Sequence, residues 1–302
     1  MDSALACFGR LGDGMKIKTK NAITGYSLIL PLLIGCLIFY ALPFGMVVWY
    51  SLVKGSGYSQ TFAGINNYTH LFANDVFRMA MGNTLKFLVV GLSLILLLSY
   101  AIALFLKNRV KKHNVLQSVI LLPYVMPVVG TVLLVDILFS EAGLGNLFLN
   151  ALGLPVQDWL HSDAAFWVVI LLYLWKNTGY AVILILSGLA TIPDEQYAAA
   201  SLDGANGWKL FRYITMPQMW YSVFFAGVFS LINAFKCFRE IFLIGGTYPH
   251  DSIYMLQHFI NNCFEKLSYS KMSVASILMT AAVSILFVLC YRWVMRKEEY
   301  KE

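Results

Sequence analysis

Two short runs in this chain place hydrogen-bonding side chains on one face of an otherwise apolar helix. Tyr173, Lys176, Asn177 and Tyr180 follow the i, i+3, i+4, i+7 spacing of a single face. Lys176 is the lone charge between Ala164 and Pro193. An ionisable group at that depth in a bilayer is costly, and by default it faces a cavity or the interior of a bundle. Aromatic rings flanking an amide and an ammonium suit a sugar, which offers apolar faces for stacking and hydroxyls for the donors. Ser230, Asn233, Ala234 and Cys237 repeat the pattern with small side chains that leave space for a ligand. The competing reading is helix packing, with Ser and Asn as interhelical hydrogen-bond glue and Lys176 paired or snorkelling. We take Lys176, Asn177, Tyr180, Ser230, Asn233 and Cys237 as candidate pathway lining.

Composition says which elements must hold these faces. Of 302 residues, 59% are apolar and 13% charged, against about 25% charged in soluble chains. Mean hydropathy is +0.68. The expected fold is all-α and integral to a membrane, with spans near 26–50, 84–106, 115–139, 166–188, 219–243 and 272–292. Spans of about 20 residues and their connections fill the chain as one transmembrane domain, 1–302, and leave no room for a soluble catalytic domain. The first span is much longer than a signal h-region of about 7 to 15 residues, so it reads as a retained anchor.

The net charge of +6 is spread as a topology signal. Arg10, Lys16, Lys18, Lys20, Lys107, Arg109, Lys111, Lys112, Lys209, Arg212, Arg292, Arg296, Lys297 and Lys301 fall on one side of a six-span arrangement, with Lys54, Arg78, Lys86, Lys266 and Lys271 on the other. The positive-inside rule makes the richer side, with both termini, cytoplasmic. Lys236 and Glu240, four apart, are expected to pair near the outer end of the fifth span, and Lys236, Arg239 and Asp136 to reach the outer surface. Neither the five cysteines nor the five histidines have metal-ligand spacing. The segment from Thr247 to Lys271 mixes polar and aromatic residues that could touch an external protein.

Between the fourth and fifth spans lies 189–218, too polar for lipid and too patterned for a linker. Pro193 suits a first helical turn, Asp194 and Glu195 its positive end, and Gly204 its stop. A second short helix is expected from Asn206, with Trp208, Phe211 and Ile214 at apolar spacing. Ala198, Ala199 and Ala200 give the first helix a thin side that another protein can approach closely. A plain helical hairpin on the membrane would show much the same pattern.

This segment resembles the EAA motif of ABC importer permeases, roughly E-x-Y-E-A-A-x-x-D-G-A followed after nine residues by I-x-L-P. Glu195, Tyr197, Ala199, Ala200, Asp203, Gly204, Ala205, Ile214 and Pro217 match it. Ala198 stands where the family has its second glutamate, and Met216 where leucine is common, so an ion pair made by that glutamate with the ATPase is not carried over. Gly64 to Tyr68, Asn83-Thr84, Leu122-Pro123-Tyr124, Trp175-Lys176 and Gly245-Gly246 extend the resemblance over nearly the whole chain, toward maltose-type and glycerol-phosphate-type permeases. The resemblance implies a type I importer subunit in the bacterial inner membrane. It implies a cytoplasmic ATPase dimer docked on Glu195, Tyr197 to Ala200 and Asp203 to Ala205, a second permease subunit, and an extracytoplasmic solute-binding protein delivering sugar. It also implies no cofactor on this chain, with ATP and Mg²⁺ held by the ATPase, and the stripes of the fourth and fifth spans on or near substrate-contacting positions. The sequence itself has no G-x-x-x-x-G-K-[ST] phosphate loop.

Two other functions fit the residues less well. An ion-coupled secondary transporter of a small polar solute would carry its own machinery, often as internal repeats, yet no repeat or set of mid-bilayer carboxylates is evident. A membrane enzyme would need a nucleophile with its base, or clustered metal ligands, and neither constellation is present.

Overall fold

A computed structural model describes residues 24–55, 60–110 and 114–299. Arg10, Lys16, Lys18, Lys20, Lys111, Lys112 and Lys301, which contribute to the expected orientation, lie outside the described residues, as do Cys7 and His113. In lipid, backbone N–H and C=O groups must be paired within the segment, which is why apolar runs of this length form helices. Six helical stretches among the described residues are long and apolar enough to cross a membrane.

The chain runs through α1 (Thr24–Leu52), a two-residue hairpin pairing β1 (Val53–Lys54) with β2 (Thr61–Phe62), α2 (Asn66–Phe72) and α3 (Asp75–Val110). It continues through α4 (Asn114–Val125), α5 (Val128–Phe139), α6 (Leu144–Ala151) and α7 (Ala164–Ala190). The polar segment folds as α8 (Asp194–Leu202), α9 (Gly207–Leu210), a π-turn (Phe211–Thr215) and α10 (Met216–Gln218). Then come α11 (Trp220–Lys236), α12 (Phe238–Gly245), α13 (Leu256–Glu265) and α14 (Tyr269–Glu299).

Three elements depart from the expected spans, each for a local reason. The second span begins at Asp75, because the Asn74 side chain accepts the Phe77 N–H at 2.9 Å and caps extra turns. The third is split into α4 and α5 at Pro127, which lacks the N–H needed to continue the ladder. Its most apolar stretch runs instead through α5 and α6, Val128–Ala151. The fifth divides at Cys237 into α11 and α12. Two π-turns, Leu37–Ala41 and Phe211–Thr215, each precede a proline by two residues, Pro43 and Pro217. A wider turn accommodates the carbonyl that proline leaves without a donor.

α7 is the centre of the bundle, packed by α3, α4 and α11. Phe87, Ile95, Ile170 and Tyr173 form the heart of its largest buried cluster. Gly179 lets α4 cross it closely: a Cβ there would lie 1.9 Å from the Ile120 carbonyl oxygen. α1 stays outermost, with none of its most apolar window buried, and lies along α14.

At the end of the bundle opposite α8, the loops are stapled by hydrogen bonds. The Asn67 amide donates to the Ser51 and Val53 carbonyls, both at 2.9 Å. Asn83 donates to the carbonyls of Asp251 and Tyr254, and Thr84 Oγ1 accepts the Leu256 N–H at 2.8 Å. The segment from Thr247 to Lys271 therefore carries a fixed turn and helix: the Asn262 amide donates to Tyr254 Oη at 3.0 Å, and His258 is fully buried beside Phe238.

Candidate functional site: an intramembrane cavity and an exposed helix

α7 projects Lys176 toward α12, where its Nζ donates to Glu240 Oε1 at 2.5 Å. Both side chains are withdrawn from solvent, 14% and 6% exposed. This corrects the expected pairing of Glu240 with Lys236: the break at Cys237 starts α12 with Glu240 turned inward, so the closer cation comes from a different helix. It also places a carboxylate inside the bundle, where none was expected. The second carboxylate oxygen, Oε2, is buried and has no hydrogen-bond partner among the described residues.

Around the pair is a cavity of about 170 Å³. Lys176, Asn177, Asn233 and Cys237 line it, so four of the six candidate pathway residues come together. The Asn177 amide donates to the Tyr173 carbonyl at 2.9 Å, which leaves its Oδ1 available. Tyr180 is off the lining but stacks on Tyr124, which is on it, with ring centroids 4.7 Å apart, and meets Phe229 edge-on. Ser230 is off the lining: it is buried, and its carbonyl receives the Tyr173 hydroxyl at 2.8 Å. Tyr124, Val128, Leu172, Tyr173, Lys236, Arg239 and Glu240 complete the wall and were not among the candidates. Their signal was available for the last three, as charges at the edge of an apolar run. Lys236 and Arg239, expected to reach the outer surface, are exposed and also border this cavity.

The second site is α8. No residue of Asp194–Leu202 is buried, and Leu202 is 89% exposed. Asp194 and Glu195 occupy its first turn, where the helix dipole favours them. Pro193 sits one residue outside, in extended conformation. Gly204 ends it with φ +78°, a left-handed conformation that other residues adopt at a cost. The Ala205 N–H returns to the Ala200 carbonyl at 2.9 Å, closing the stop. Asn206 then caps α9 by accepting the Lys209 N–H at 2.9 Å.

Tyr197 and Gln196 tie this helix to the rest of the chain. Tyr197 Oη meets Thr215 Oγ1 at 3.0 Å, and Lys107 Nζ lies 3.7 Å from the centre of its ring. Gln218 donates to Gln196 at 2.6 Å. The opposite side of α8, with Glu195, Ala198 and Ala199, is open, as are Asp203, Gly204 and the neighbouring Trp208 and Tyr213. Lys107 and α8 thus share one end of the bundle, as the charge pattern required.

Residues 95–299 match the family described as "Binding-protein-dependent transport system inner membrane component". The chain is 30% identical over 280 residues to the trehalose/maltose transport system permease protein MalF of Thermococcus litoralis, covering 91% of this chain and 95% of that one. It is 30% identical over 283 residues to the sn-glycerol-3-phosphate transport system permease protein UgpA of Pectobacterium atrosepticum, covering 91% and 95%. Its fold matches a chain of a bacterial ABC transporter involved in the import of the acidic polysaccharide alginate, with a TM-score of 0.77, 22% identity, and coverage of 92% and 97%.

Proposed function

The chain belongs to the family of inner membrane components of binding-protein-dependent transport systems, and from that premise we propose its role in detail: it forms half of the pathway by which an ATP-driven importer admits a sugar or oligosaccharide. It is a multi-pass permease subunit. A solute-binding protein docks at the end where Asn83, Thr84 and the turn at Asp251 are tied together. A second permease subunit faces α7 and α11 and closes the cavity around Lys176 and Glu240. At the other end, taken as cytoplasmic along with both termini, an ATPase dimer grips α8. ATP and Mg²⁺ are bound there, and this chain contributes transport, not catalysis.

The observation that carries the reading is the exposure of α8: a helix tied to the rest of the chain through Tyr197 and Gln196, with its alanine face left open. Exposure of this kind on a fixed element suits a partner surface. Motion of α8 passes through Tyr197 to Thr215 and to Lys107 on α3, so a push there reaches both α3 and the turn that leads toward α11.

Purification of the intact complex tests this. An ATPase should co-purify, and its hydrolysis should rise severalfold when the binding protein and sugar are added. Isolation of a chain that transports without either would refute it. The Lys176–Glu240 pair gives the secondary-transporter reading no support of its own, because the Lys176 ammonium already balances the Glu240 charge without an exchangeable ion.

A further inference from the structure

The cavity beside Lys176 has more positive charge than its walls cancel. Lys176 is matched by Glu240. Lys236, at the end of α11, and Arg239, in the first turn of α12, line the same cavity, and both are exposed in this chain. Neither has an ion-pair partner among the described residues. Three cations thus line the cavity with one carboxylate, a surplus of two positive charges; Lys176 stands on α7, and Lys236, Arg239 and Glu240 on Trp220–Gly245, a stretch long and apolar enough to cross a membrane.

Uncompensated cations on a spanning element are expensive unless water or an anion meets them. Arginine presents a fork of donors suited to the two oxygens of a carboxylate or phosphate, and lysine adds a point charge. Glu240 Oε2 supplies the complementary feature, a buried acceptor with no donor among the described residues. A hydroxyl group would satisfy it, whereas a simple inorganic anion would be repelled. At about 170 Å³, the cavity is smaller than the roughly 300–1,000 Å³ of complete ligand pockets, as half of a shared site would be.

We propose that this half of the pathway is built for an anionic saccharide, with Lys236 and Arg239 meeting its carboxylate or phosphate and Glu240 accepting from a hydroxyl. The proposal rests on the importer reading above. It is tested on the assembled importer in phosphatidylcholine nanodiscs, without the binding protein, so that the preference measured belongs to the membrane subunits. Glucuronate and glucose are titrated and followed by saturation-transfer NMR. Glucuronate should bind at least tenfold more tightly than glucose, and Lys236→Gln with Arg239→Gln should bring the ratio close to one.

Equal binding of the two sugars, no binding of glucuronate, or an unchanged ratio in the double variant would each overturn the proposal. If phosphatidylglycerol in the disc abolishes glucuronate binding, the cations serve a lipid headgroup and the saccharide assignment is overturned. Hydrolysis of ATP by the same preparation, with binding protein added, separates the two levels. Stimulated hydrolysis without an anionic preference removes only this inference, while no stimulation removes the importer reading with it.

Discussion

At the scale of single residues, Lys176 and Glu240 carry the most consequence. Removing one member of a buried pair strands the other, at a cost of about 3–5 kcal/mol, whereas replacing both by apolar groups is often neutral. Glu240→Gln should therefore lower the melting temperature of the purified complex much more than Lys176→Met combined with Glu240→Leu, although both lose the carboxylate. Equal destabilisation would show that the pair is not the source of the effect.

His258 makes a second prediction. Its Nδ1 accepts the Met255 N–H at 3.2 Å, and burial lowers its pKa to about 4 from 6.5. The unfolded chain takes up this proton below about pH 6.5 and the folded chain only near pH 4. Stability should thus fall as pH drops through that window, at about 1.4 kcal/mol per unit, and level off outside it. Thermal unfolding between pH 7 and 4.5 should show a steeper decline for the parent than for His258→Gln.

What the sequence revealed at this scale was uneven. The stripe holding Lys176 and Asn177 was legible because a charge inside an apolar run is rare. The partner of Lys176 was not, because Glu240 reads as an i, i+4 mate of Lys236 until the break at Cys237 re-aims it. Ser230 has the spacing of Asn233 and Cys237 but is not on the lining, and its backbone carbonyl receives the Tyr173 hydroxyl.

At the scale of elements, α8 was the most legible feature, since caps, acidic first turn and glycine stop are all local chemistry. A Cβ added at Gly204 would have nothing within 4 Å, so the left-handed backbone alone penalises a substitution. Gly204→Ala should loosen the end of α8 by about 1–2 kcal/mol. Hydrogen exchange at the amides of Gly204 and Ala205 should quicken by roughly tenfold while α7 is unaffected. Unchanged exchange would mean that the stop is not held by this conformation. The split of the third span was hidden because hydropathy averages across Pro127 and cannot register one missing donor.

Across the whole molecule, the number of spans was readable from long apolar runs, the fourth of them interrupted by Lys176, but their arrangement was not, since lipid-facing and buried helices are equally apolar. α7 is central and α1 peripheral through packing of small residues against backbone. Gly179→Val should force α4 from α7 and sharply reduce the yield of monodisperse complex, beyond the usual cost of about 1–3 kcal/mol for overpacking, because the clash is with a backbone carbonyl. Normal yield would show that the two helices do not need this crossing.

The central claim is that α8 transmits work from the ATPase to the bundle, and ATP-driven uptake into proteoliposomes by an Ala199→Asp variant tests it most directly. Ala199 is exposed, so the carboxylate leaves the fold intact. Uptake should fall to the level seen without ATP while the two permease subunits still co-purify. Uptake at the parental rate, with the charge confirmed in place, would contradict the claim.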